Sequence, residues 1–167
     1  RTADLLGIIA LESQRNRCLV IGEHREALSD GFAMELHRRG ILLSRPGFFA
    51  RDQQGDWLES AGYPSQAVVM ASREEVCSLN SFWLGRDIAW LAAMCPSFDN
   101  GERQKEVIAR ATDRAHLLVA LKREDLLPEG YDVDPAAVPR MTPTLTRSVH
   151  SFLVRTPAEI FLVHLRD

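Results

Sequence analysis

The feature that most constrains this chain is the repeated alternation of amphipathic helical stripes with short, uninterrupted apolar runs. Residues 2 to 16 place Leu5, Ile8, Ile9 and Leu11 at helical spacing, with Thr2 as a candidate N-cap and Asp4 in the first turn. Cys18-Leu19-Val20-Ile21-Gly22 follows at once, a run with no polar alternation, as expected of a strand covered on both faces. Ser29 then caps a second stripe of Phe32, Ala33 and Leu36, which closes on Arg38, Arg39 and Gly40 with glycine at the C′ position. Ile41 to Ser44 is the next strand. After it Pro46, Gly47, Gly55, Gly62 and Pro64 punctuate a long loop that carries Phe48, Phe49 and Trp57, aromatics expected to anchor the loop to the core.

Ala67 to Ala71 forms a third strand, and helical stretches are expected from about Phe82 to Met94 and from Gly101 to Leu126, the latter with Val107, Ile108, Ala111, Ala115 and Leu118 in register. Leu127 to Pro143 reads as a loop. Thr142-Pro143 opens a last helix with Leu145, Val149, Phe152 and Leu153 inward, and Ile160 to Leu165 is a fourth strand. Parallel neighbours need crossover connections, so this alternation predicts an α/β fold with four parallel strands adjacent in chain order. Periodicity alone leaves two architectures open, a small doubly wound sheet and half of an eight-stranded barrel.

Composition narrows the function. A net charge of -3 and the lack of any run of more than two adjacent Lys or Arg argue against a nucleic-acid partner. No apolar run approaches the roughly 20 residues of a membrane span, so no membrane partner is expected and a cytoplasmic setting is. Cys18, Cys77 and Cys95 are too far apart for a zinc pair and odd in number, and His37, His116 and His150 add no ligand spacing. No metal and no organic cofactor are expected.

Between the two architectures, local strings decide. Leu5-Leu6-Gly7-Ile8-Ile9-Ala10-Leu11-Glu12-Ser13 runs into Cys18-Leu19-Val20-Ile21-Gly22-Glu23. Phe48-Phe49, Tyr63-Pro64, Phe82-Trp83, Gly85-Arg86-Asp87-Ile88, Met141-Thr142-Pro143-Thr144-Leu145 and Arg155-Thr156-Pro157 follow in order. Their order and spacing resemble the amylomaltase, or 4-α-glucanotransferase, family, glycoside hydrolase family 77, over nearly the whole chain. The resemblance implies the C-terminal half of a (β/α)8 TIM-type barrel, as one domain over residues 1–167 lacking its N-terminal half.

The resemblance also implies a retaining transfer of α-1,4-glucan segments between maltodextrins, in which one carboxylate attacks the anomeric carbon and a second group serves as acid and then base. Glu23 takes the acid/base position. The family's nucleophilic aspartate would precede Arg1, so this chain by itself is expected to be inactive. Glu75 stands at the family's third-carboxylate position, an aspartate there, and Glu74 at the family's substrate-binding histidine. Two further departures fall at strand ends: Glu23-His24-Arg25-Glu26 where the family has Glu-Asp-Leu-Gly, and His164-Leu165-Arg166-Asp167 where it has Gln-Leu-Glu-Asp. These departures motivate the alternative, a non-catalytic maltodextrin-binding or structural relative with a degenerate site. Open edges of a four-stranded sheet would favour self-association in either case.

Overall fold

The computed structural model describes residues 2–23, 29–46, 57–72 and 77–167. In chain order these form α1 (Thr2–Asn16), β1 (Ile21–Gly22), α2 (Asp30–Arg38), β2 (Leu42–Pro46), β3 (Ala67–Met70), α3 (Leu79–Leu84), α4 (Arg86–Met94), α5 (Asn100–Arg123), α6 (Pro143–Val154) and β4 (Ile160–Leu162). The four strands make one sheet in the order β1-β2-β3-β4, every pair parallel, with Leu43 opposite Ala67 and Val69 opposite Phe161. Strand order and direction are therefore those the apolar runs predict. The strands are shorter than the runs, since Cys18 to Val20 and Val163 to Leu165 stay outside the ladder.

Burial explains why the runs are uninterrupted. Ala67, Val68 and Val69 of β3 are each 0% exposed, so a polar residue on either face would lose its water without gaining a partner. Two packed clusters include residues of the sheet. The larger joins Val69 and Ala71 to Leu79, Phe82 and Trp83 of α3, Leu117, Leu118 and Leu121 of α5, and Leu145, Val149, Phe152 and Leu153 of α6. The smaller joins Leu6, Leu36, Ile41 and Leu43. Trp57 and Tyr63 belong to the larger cluster, and Tyr63 meets Phe152 edge to face at 6.1 Å, which bears out the anchoring role expected of Trp57. Phe48 and Phe49 lie outside the described residues.

Helix ends follow their local chemistry. Thr142 accepts from Leu145 N at 3.1 Å as the N-cap of α6, with Pro143 in the first helical turn. Gly40 closes α2 at φ +67°, with Ile41 N donating to Leu36 O, the six-to-one bond of a Schellman end. Asp99 caps α5 by accepting from Glu102 N at 2.8 Å. The string Asp99-Asn100-Gly101-Glu102 has the spacing of a capping box and could have been read as one.

Three sequence expectations need correction. The stretch expected as one helix from Phe82 to Met94 is two, because Gly85 at φ +66° ends α3 and starts α4. The inward stripe expected on α1 is largely outward: Leu6 is buried and Ile9 packs beside it, whereas Leu5, Ile8 and Leu11 are exposed. Apolar residues cover more than one side of that helix, and spacing cannot say which side the sheet takes. Likewise the buried apolar residues of α5, Leu117, Leu118 and Leu121, all lie in its C-terminal half, while Val107 and Ile108 face solvent.

Leu118→Ala removes a fully buried side chain and is expected to cost about 2–5 kcal/mol, whereas Ile108→Ala, at a position 59% exposed, should fall within about 0.5 kcal/mol of the parent. Urea unfolding followed by circular dichroism measures both, and equal losses would contradict the burial pattern.

Candidate functional site

Because all four strands are parallel, their C-terminal ends share one rim, and the residues that follow each strand gather there. Glu23 directly follows β1 and is exposed on that rim. Glu74 and Glu75 lie outside the described residues, bracketed by Ser72 and Cys77. Since α3 begins at Leu79 behind its N-cap Ser78, the two glutamates precede the helix and are not its first-turn acids.

Among the described residues, one tightly bonded part of the rim centres on a residue to which sequence reasoning assigned no role. Asp167, past the end of β4, has a side chain with no solvent exposure. Its Oδ2 accepts from Ser72 Oγ at 2.6 Å and its Oδ1 from Leu79 N at 2.9 Å. His150 of α6 places Nε2 3.7 Å from Oδ2 and sets its ring edge-on to Phe161 of β4, with centroids 5.9 Å apart. One carboxylate therefore joins the ends of β3 and β4, the start of α3 and, through its neighbour His150, α6. The available signal was position: an aspartate a few residues past an apolar run, in a fold whose strand ends share a rim.

Beside Asp167 opens a cleft of about 970 Å³ lined by, among others, Asn80, Arg147, His150, Arg155 and Arg166. Glu23 does not line it, so the described residues do not bring the acid/base candidate and this cleft together. No group of three or more His, Cys, Asp or Glu able to hold a metal ion occurs among the described residues, and no helix among them is long and apolar enough to cross a membrane.

Two arginines hold the helices that frame the rim. Arg110 of α5 forms a two-pronged pair with Asp87 of α4 at 2.8 and 2.7 Å, donates to Phe82 O at 2.6 Å and lies over the Phe82 ring. Arg114 lies over the Trp83 ring and donates to Pro135 O and Val138 O, while Trp83 Nε1 donates to Val138 O at 2.9 Å.

Four parallel strands with returning helices define a partial (β/α) barrel, a class of fold whose active sites are built at the C-terminal ends of the strands. The whole of residues 1–167 matches glycoside hydrolase family 77, 4-alpha-glucanotransferase, and the chain belongs to that family. It is 30% identical over 165 residues to the 4-alpha-glucanotransferase of Haemophilus influenzae, covering 98% of this chain and 23% of that protein. In three dimensions it superposes on amylomaltase from Corynebacterium glutamicum with a TM-score of 0.82 at 20% identity, again over 98% of this chain and 23% of the other. The chain thus spans about a quarter of the length of the relatives it matches, and its fold is that of part of a TIM-type barrel.

Thiol chemistry reports on this region. Burial pushes the Cys77 thiol up to about 11, Asp87 and Asp167 adding to the effect and Arg110 opposing it, whereas hydrogen bonding with Ser97 lowers the partly exposed Cys95. Only the thiolate is alkylated, so at pH 8.5 Cys77 should react with iodoacetamide roughly a hundredfold more slowly than Cys95. The gap should narrow as pH approaches 11, and peptide mass spectrometry measures it. Equal rates at pH 8.5 would show that Cys77 is not held in the buried setting described.

Proposed function

We propose that this chain is one half of the catalytic barrel of a 4-α-glucanotransferase, that Glu23 is its acid/base, and that the 167 residues alone do not carry out transfer. The observation that carries the reading is the place of Glu23, immediately past a parallel strand on the C-terminal rim of a family 77 fold. A carboxyl group there is exposed enough to meet a sugar and anchored by a strand that fixes its origin.

In the proposed reaction the carboxylic acid of Glu23 donates a proton to the departing glycosidic oxygen as a separate carboxylate attacks the anomeric carbon. The Glu23 carboxylate then takes a proton from an incoming sugar hydroxyl, and the glucan segment passes to that acceptor instead of to water. The attacking carboxylate is assigned to a strand preceding Arg1. Glu75 is assigned to hold the distorted sugar and Glu74 to contact it. Glu reaches one methylene further than the family's aspartate at position 75, and Glu74 sets a second negative group beside it where the family has an imidazole. Close like charges disfavour joint ionisation, so weaker transfer than in the relatives is expected even when the barrel is complete. Maltodextrins are the proposed ligands, and the exposed apolar residues of the edge strands, Ile21 and Leu162, are the surfaces through which an isolated chain would self-associate.

The purified 167-residue chain is expected to release no glucose from maltotriose. The protein extended upstream to include the preceding strands should release it and form longer maltodextrins, and Glu23→Gln in that longer protein should lower the rate at least about a hundredfold. Glucose release by the short chain that Glu23→Gln abolishes would overturn the assignment of the nucleophile. An extended protein that binds maltodextrin without releasing glucose would instead favour the non-catalytic reading.

A further inference from the structure

The Asp167 carboxylate is fully withdrawn from water, a costly position for a charged group unless it is well bonded. Its bonds do not go to its own strand. Oδ2 reaches Ser72, just past β3, and Oδ1 reaches the amide of Leu79, the first residue of α3. These two residues bracket positions 73–76, which include Glu74 and Glu75.

Capping of α3 does not require this arrangement, because Ser78 already serves as its N-cap and accepts from Ser81 N at 3.2 Å. What Asp167 adds is a fixed separation between the exit of β3 and the start of α3. It sets that separation from a third element, the chain past β4. His150 approaches the carboxylate from α6, and its ring is in turn packed edge-on against Phe161 of β4.

We propose that Asp167 is a positioning residue of the catalytic rim: by tying Ser72 to Leu79 it fixes the two ends of the connection in whose sequence Glu74 and Glu75 occur. The proposal rests on the functional reading above for the word catalytic, while the clasp itself is independent of it. A side chain displaced by as little as 1 Å can cost about a hundredfold in rate, so a clasp on the flanks of a carboxylate affects turnover without touching substrate.

The clasp depends on geometry more than charge. In Asp167→Asn the side-chain oxygen can accept from Leu79 N while the NH2 group donates to Ser72 Oγ, so both arms survive. In Asp167→Ala both are lost. Amide hydrogen exchange by NMR on the 167-residue chain should show Leu79 exchanging at least ~10-fold faster in Asp167→Ala and within ~3-fold of the parent in Asp167→Asn, with the Leu118 amide of the core unchanged in both. In the upstream-extended protein, Asp167→Ala should lower kcat for maltotriose transfer at least ~10-fold with KM within ~2-fold, and Asp167→Asn should restore most of it.

If Asp167→Ala does not fold, Ser72→Ala removes one arm and is expected to give a smaller kcat loss of the same kind. Parental Leu79 exchange in Asp167→Ala overturns the proposal. So does an Asp167→Asn variant as impaired as Asp167→Ala, or a Leu118 amide that speeds up with Leu79, which would mark a general stability effect. Exchange that responds as expected in an extended protein that releases no glucose supports the clasp and overturns the functional reading instead.

Discussion

Parallel pairing is the constraint on which the rest of this structure depends. A parallel neighbour cannot be reached by a tight turn, so each strand must be followed by a connection that returns along the sheet before the next begins. That requirement separates the strands in sequence and supplies helices to cover a face. It leaves β3, in the interior of the sheet, with three residues wholly out of water. It also puts every strand's C-terminal end on the same side. The rim on which Glu23, Ser72 and Asp167 stand is a consequence of strand direction, set before any particular side chain is chosen.

What could be read from the sequence divides along the same line. Strand order, strand direction and the α6 cap were legible because each follows from a local rule: an apolar run for two-sided burial, Thr142-Pro143 for a helix start, Gly40 for a helix end. The orientation of α1 was not legible, since apolar residues at positions 5, 6, 8, 9 and 11 surround much of the helix and the buried side is decided by what α2 and the sheet offer. Gly85 was invisible as a break for a related reason. A glycine within an apolar helical pattern costs only about 1 kcal/mol if it stays helical, and tertiary packing of Phe82, Trp83 and Ile88 settles the choice.

The candidate site was less legible than the scaffold, and the family strings show why. Phe82-Trp83 fills the core, and Asp87 holds Arg110. Thr142 caps a helix, and the hydroxyl of Thr156 donates to Leu153 O at 2.7 Å. Those strings identify the family through the packing and capping of the scaffold. Asp167 instead meets Ser72 and Leu79 across 95 and 88 positions of chain, a contact that no local pattern signals.

Sheet geometry also bears on where a partner for Glu23 must stand under the proposed chemistry. Retaining transfer requires the acid/base and the nucleophile to hold their carboxyl groups about 5 Å apart, one on each side of the reacting bond. Adjacent strands lie about 4.8 Å apart, so groups on neighbouring strands meet this distance readily, whereas β3 lies two spacings from β1, about 10 Å away. The end of β2 offers Arg45 and Pro46, neither of them a carboxylate. A carboxylate borne on β3 would therefore stand too far away to attack the bond that Glu23 protonates. That leaves the open edge of β1, with Ile21 47% exposed, as the position from which a nucleophile would reach the sugar. A strand docked there in parallel would bring its own C-terminal end to the same rim, one spacing from Glu23, and would cover the exposed edge in the same step.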